Sequence, residues 1–176
     1  MRAAIVGCGE IARVHLSALR GLPGVTLVGA CDRDAWRARD LAALADGATP
    51  YTDLAAMLAA EHPDTLHVLT PPGTHAALAI QAMEAGCHVL VEKPMALSVA
   101  EADRMIATSS AHEVTLCPNH NYLFKPSIRR AMDLVAGGEI GDVVHVHGYY
   151  GLADEGSAYE GRGGRSHWAY ALPGGP

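Results

Sequence analysis

Several groups of residues in this chain have the types and spacing to do chemistry on a small molecule. Gly7-Cys8-Gly9-Glu10-Ile11-Ala12 follows an apolar run, Ala3 to Val6. Gly-x-Gly-x-x-Ala at such a junction makes a phosphate cradle. Gly7 permits a tight turn, Gly9 lets the backbone approach a pyrophosphate, and Glu10 and Ile11 open a helix whose N-terminus faces the anion. Ala12 keeps that helix close to the strand. Asp32 lies 20 residues beyond Ala12. A carboxylate there can accept hydrogen bonds from the adenosine ribose hydroxyls; the plain alternative is a helix cap or a solvated turn, and the upstream Gly motif favours the ribose. Arg33 follows. It could stack on adenine or hold a 2′-phosphate, so NADP stays open, but Asp32 would repel that phosphate and NAD is the expected cofactor.

Further along, Thr70-Pro71-Pro72-Gly73-Thr74-His75 and Glu92-Lys93-Pro94 each follow a short apolar run. Thr70, Pro71, Pro72 and Glu92 are assigned with the Gly motif to the dinucleotide. Thr74 is a candidate cap for the following helix. His75 is either a half-exposed first-turn residue or a cofactor contact. An ammonium such as Lys93 beside a nicotinamide ring could anchor a substrate hydroxyl and shuttle its proton, with Glu92 orienting it; otherwise the two are a solvated surface pair. Asn119-His120-Asn121 offers three hydrogen-bonding side chains, suited to a polyhydroxy ligand. His120 is a candidate second proton carrier, or merely a residue bonded to its own loop.

The elements that must position these groups alternate between strand-like and helical patterns. That alternation predicts an α/β fold, a Rossmann-type doubly wound parallel sheet. Strands are expected near 3–6, 25–31, 49–51, 65–69, 88–91 and 114–117. Helices are expected over 10–20, 35–44, from 54 to Pro63, 75–85, after a Ser98/Glu101 capping box, and over 126–136. Ile11, Val14, Ala18 and Leu19 give the first helix an apolar stripe. Ala102, Met105 and Ile106 are expected to face inward from the fifth helix. Ile128, Ala131, Met132 and Val135 form the stripe of the sixth. Residues 142–151 read as a further strand with His145 and His147 on one face. With no third ligand evident, a polar sheet face is preferred there over a metal pair, and no metal is assigned.

Composition excludes several other classes. The net charge is −6 and no basic run exists, which argues against nucleic acid or an anionic membrane surface. No apolar stretch approaches the length of a membrane span. Cys8, Cys31, Cys87 and Cys117 are widely spaced. They read as free thiols of a cytoplasmic protein, ahead of a disulfide frame or zinc site. Serine hydrolase, zinc protease and P-loop motifs are missing from the sequence.

Taken in order, the Gly7–Ala12 segment, the Thr70–His75 loop and Glu92-Lys93-Pro94 closely resemble the Gfo/Idh/MocA oxidoreductases. Asn121-Tyr122-Leu123-Phe124-Lys125-Pro126 and Gly138-Glu139-Ile140-Gly141 are similar to that family's next two segments. The resemblance covers about residues 2–150. It implies a Rossmann domain binding NAD or NADP, here 1–122. It also implies a second α/β domain that shapes the substrate pocket and often mediates homo-oligomerisation. The implied reaction is reversible oxidation of a hydroxyl, usually on a sugar or cyclitol, by hydride transfer, with Lys93 matching the active-site lysine. Leu123 stands where many members carry arginine, which leaves the substrate open.

The family also supplies an Asp and a His from a helix after a Gly-Gly segment, and this chain has no counterpart of them by Gly174-Gly175-Pro176. The expectation is therefore a fragment, in which 123–176 is the connecting helix and the incomplete start of the second domain. Such a chain should bind the dinucleotide and turn over poorly, with residues 152–176 loosely packed. The alternative reading is a non-catalytic dinucleotide-binding sensor.

Overall fold

The computed structural model describes residues 1–149. The chain divides into two compact units, Met1–His120 and Asn121–Pro176. The first unit is built on six parallel strands: β1 (Arg2–Val6), β2 (Thr26–Cys31), β3 (Thr49–Tyr51), β4 (Thr65–Val68), β5 (His88–Val91) and β6 (Leu116–Pro118). Their order is β3-β2-β1-β4-β5-β6. The chain therefore winds outward from β1 twice, and the crevice where the order reverses lies between β1 and β4. Five helices connect the strands: α1 (Glu10–Arg20), α2 (Ala35–Ala43), α3 (Leu54–Glu61), α4 (His75–Glu84) and α5 (Val99–Ala111).

Side chains alternate across a strand, so each strand feeds two cores. Ala3 and Ile5 of β1 pack with Ala12, Leu16, Leu19 and Leu41 on one face. Ala4 and Val6 join Met57, Leu66, Val68, Met83 and Met105 on the other. Small side chains set the spacing between layers. A Cβ on Gly29 would stand 2.7 Å from the Met57 sulfur, so the glycine makes room for the Met57 side chain of α3 against β2.

The helix ends show how local sequence starts each element. Asp34, Asp53 and Ser98 accept main-chain N–H bonds at the starts of α2, α3 and α5. At α5 the Glu101 carboxylate takes the Leu97 N–H at 2.9 Å, one residue before the cap. Thr74 does not cap α4. Its hydroxyl donates to the Pro71 carbonyl at 2.9 Å and bonds Thr70 Oγ1 at 2.7 Å, because the loop makes a 3₁₀ turn (Pro72–Thr74) just before the helix.

Several expected faces are corrected. In α1 the buried residues are Ala12, His15, Leu16 and Leu19. Ile11 is 41% and Val14 is 62% exposed, and Ala18 is exposed as well. Two helical stripes of similar apolarity compete in this helix. Ala12 must touch the sheet, and that requirement selects the stripe that includes His15. In α5, Met105 is buried and Ile106 is exposed.

In the second unit, α6 (Pro126–Ala136) follows a 3₁₀ turn (Asn121–Phe124), and none of its residues is buried. The expected strand over 142–151 is missing from residues 142–149. A strand exists only when another strand takes its N–H and C=O groups, and no described residue does so. The shared face proposed for His145 and His147 is lost with it. Among the described residues no helix is long and apolar enough to cross a membrane. No His, Cys, Asp or Glu cluster among them could hold a metal. The expected loose packing of 152–176 lies outside the described residues.

Candidate active site at the carboxyl edge of the sheet

The turn between β1 and α1 has the shape its sequence requires. Gly7 sits at φ +92°, and a Cβ there would stand 2.7 Å from the Leu69 carbonyl carbon, so both conformation and space demand glycine. Gly9 precedes α1 with extended backbone and no capping side chain. A Cβ on Gly9 would meet no atom within 4 Å. No side chain caps the start of α1, and the Ala12 N–H turns back to the Gly9 carbonyl at 3.2 Å, whereas α2, α3 and α5 use side chains as caps. Ala12 is fully buried against β1 and β2. A glycine turn leading into a helix start without a side-chain cap suits a pyrophosphate.

Asp32 follows β2 and is tied to this turn. Its Oδ2 accepts the Cys8 N–H at 2.8 Å, and its Oδ1 accepts the Asp34 N–H at 2.9 Å. Each oxygen retains a lone pair for a hydroxyl donor. Arg33 is exposed beside it. The Cys8 thiol is inert: burial first, then Asp32 and Cys31, push it up to about 12 against a small opposing effect of Arg37. The four cysteines are free.

On the other half of the sheet, the Thr70–His75 loop and the Glu92-Lys93-Pro94 segment leave β4 and β5 side by side. His75 is fully buried, not half-exposed. Its ring lies between the Thr70 carbonyl at 2.6 Å and the Pro94 carbonyl at 2.9 Å, so it struts the two loops apart at a fixed spacing. Pro72 is buried, while Pro71 and Lys93 are exposed.

Residues 1–120 match a family model described as an oxidoreductase family with an NAD-binding Rossmann fold. The chain belongs to the Gfo/Idh/MocA oxidoreductases. Among family relatives, D-apiose dehydrogenase of Paraburkholderia graminis is 34% identical over 140 residues, covering 80% of this chain and 37% of that protein. D-glucoside 3-dehydrogenase of Escherichia coli is 32% identical over 144 residues, covering 81% and 41%. The WlbA dehydrogenase of Bordetella pertussis, solved with NADH and UDP-GlcNAcA, superposes with a TM-score of 0.75 at 29% identity, covering 80% of this chain and 44% of that one. The chain thus spans less than half the length of these family members.

Within this family frame the Glu92 carboxylate does something the sequence did not suggest. It does not reach for the Lys93 ammonium. Its Oε1 accepts the Asn119 side-chain N–H at 2.6 Å and bonds His15 Nε2 at 3.2 Å, while its Oε2 accepts the main-chain N–H of Lys93 at 3.2 Å. His15 Nδ1 in turn lies 3.0 Å from His67 Nδ1. Burial alone would raise the Glu92 carboxyl. The hydrogen bonds from His15 and Asn119, the His15 charge and the Lys93 N–H outweigh it and hold Glu92 at about 2. His67 is drawn down to about 4, first by burial and then by His15.

His15 and His67 escaped sequence reading because a histidine interrupts an apolar count. The available signal was position: His15 is three residues after Ala12, on the face that must meet the sheet. Asn119 commits its amide nitrogen to Glu92 and keeps its carbonyl oxygen. His120 is exposed in the loop after β6. Asn121 belongs to the second unit.

Proposed function

We propose that this chain binds NAD across the carboxyl edge of its sheet, and that it serves the reversible oxidation of a hydroxyl on a sugar, cyclitol or related polyol. The supporting observation is the placement of Lys93, exposed at the end of β5 on the same sheet edge that carries the cradle and Asp32. In this reading Gly7, Gly9, Glu10, Ile11 and Ala12 hold the pyrophosphate. Asp32 takes the adenosine ribose and Arg33 lies beside the adenine. Thr70, Pro71, Pro72 and the His75-braced loop line the nicotinamide half with Glu92 and Lys93.

When bound, the nicotinamide supplies or accepts the hydride. The protein's own task is to hold and move a proton: Lys93 Nζ takes it from the substrate hydroxyl or returns it. His120, Asn119 and Asn121 are assigned to the polyhydroxy substrate, with His120 as a second proton carrier. The Asp32 carboxylate favours NAD over NADP by repelling a 2′-phosphate. An exposed lysine at this edge favours an enzyme over a dinucleotide sensor. The relatives named for D-apiose and D-glucosides set the substrate class to be screened.

The test pairs binding with turnover. NAD+ should bind at least about tenfold tighter than NADP+. In polyol oxidation, with the chain extended to the length of its relatives, Lys93→Met should lower the rate by roughly 10²–10⁴-fold with the NAD+ Kd little changed. Unchanged turnover in Lys93→Met would remove Lys93 from the chemistry.

A further inference from the structure

A polar seam runs through the face of the sheet that α1 covers. His67 on β4, His15 on α1, Glu92 after β5 and Asn119 after β6 come from four segments up to 104 positions apart in the chain, yet they form one continuous hydrogen-bonded line. His15 is 8% exposed and the Glu92 side chain 14%. Their arrangement has a fixed direction. An ionised carboxylate only accepts hydrogen bonds, so His15 Nε2 must be the donor to Glu92. If His15 is neutral, its Nδ1 then accepts from His67 Nδ1; if it is charged, it donates to His67 instead. In both forms the same proton points at Glu92.

Glu92 spends its second oxygen on the Lys93 main-chain N–H. The cradle helix α1 is therefore fastened to the two segments, 92–94 and 119–120, at the nicotinamide half of the edge. It is not fastened in this way to Asp32, whose partners are Cys8 and Asp34.

We propose that His15 is a positioning residue for the nicotinamide half of the site. Through Glu92 it sets where Lys93 and Asn119 stand relative to the dinucleotide that α1 holds. It touches neither cofactor nor substrate. The inference rests on the dinucleotide reading above, and it assigns to His15 an effect on one end of the ligand only.

That asymmetry gives the experiment. The chain is titrated calorimetrically with NAD+ and, separately, with ADP-ribose, which has the adenosine and pyrophosphate but no nicotinamide. His15→Leu should weaken NAD+ about tenfold while ADP-ribose stays within about twofold, the size expected for losing one hydrogen bond to a charged group. In His15→Gln the amide nitrogen falls near the position of Nε2 and should restore most of the NAD+ affinity. Glu92→Gln keeps the shape, removes the acceptor charge and should show the same split, which covers a His15→Leu chain that fails to fold.

Equal weakening of both ligands would show a general loosening of α1 and overturn the proposal. So would unchanged NAD+ affinity in His15→Leu and Glu92→Gln, or equal affinity of the wild-type chain for the two ligands. Failure of the wild-type chain to bind either ligand would instead overturn the dinucleotide reading, and the proposal with it.

Discussion

Asp32 and Glu92 both stand at the carboxyl edge of one parallel sheet, yet they are held in opposite ways. Asp32 is fixed by main-chain N–H groups, from its own turn and from the cradle. Any sequence that folds this turn supplies those donors. Glu92 is fixed mainly by side chains, His15 from α1 and Asn119 from the end of β6, with one main-chain N–H added. The Asp32 half of the edge is thus specified by backbone geometry. The Glu92 half depends on a buried network in which each member needs the others. Substitutions should therefore cost ligand contacts in the first half and placement of the reactive groups in the second.

The largest effect should come from Gly7, which both halves need. Gly7→Val forces a branched side chain into positive φ and against the Leu69 backbone. Stability should fall by about 3 kcal/mol in urea unfolding, and dinucleotide binding should vanish. Asp32→Ala comes next and separates the halves. NAD+ affinity should fall roughly 10–100-fold by calorimetry, while stability falls by about 1–2 kcal/mol, because the Cys8 and Asp34 N–H groups lose their acceptor. A larger loss of stability than of affinity would make Asp32 a structural residue instead.

Acid should act on the other half. His67 is held at about 4 against an ordinary 6.5, and Glu92 at about 2 against 4.5. For both groups the folded protein binds fewer protons than the unfolded chain within those windows. The His67 contribution is complete above pH 6.5 and is lost as pH falls to about 4. The Glu92 contribution is complete above pH 4.5 and is lost as pH falls towards about 2. Each is worth roughly 3 kcal/mol. Urea midpoints at a series of pH values should show the slope between 6.5 and 4 flattening in His67→Gln, and an unaltered slope there would contradict the seam. The smallest effect is a control outside both halves. Asp53→Ala removes the Ala56 N–H cap of α3 and should cost about 1 kcal/mol without changing NAD+ affinity.

The same contrast decides what could be read from the sequence. Gly7, Gly9, Ala12 and Asp32 obey local rules of turn, helix start and spacing, and these rules follow from a few consecutive residues. The parallel, doubly wound class follows from alternation of strands and helices, whereas the strand order β3-β2-β1-β4-β5-β6 does not. His15, His67 and Asn119 meet Glu92 only after α1 has chosen its face and β4, β5 and β6 have come into register. Nothing at short range marks them. The inward stripe of α1 is hidden for a related reason: its buried face carries a histidine, His15, where an apolar count expects none. His75 was ambiguous until its two carbonyl partners, five and 19 positions away, were in place. The stripe of α6 and the expected strand after it needed partners that the described residues do not supply.

The central claim is that one dinucleotide lies across both halves of this edge. A titration of the ¹⁵N-labelled chain with NAD+, followed by amide chemical shifts, tests it most directly. The account predicts saturable shifts at Gly9, Glu10 and Ile11, at Asp32, and at Thr70, Lys93 and Asn119, all with one binding constant. Shifts confined to one half, shifts elsewhere on the fold, or no saturable change would contradict it.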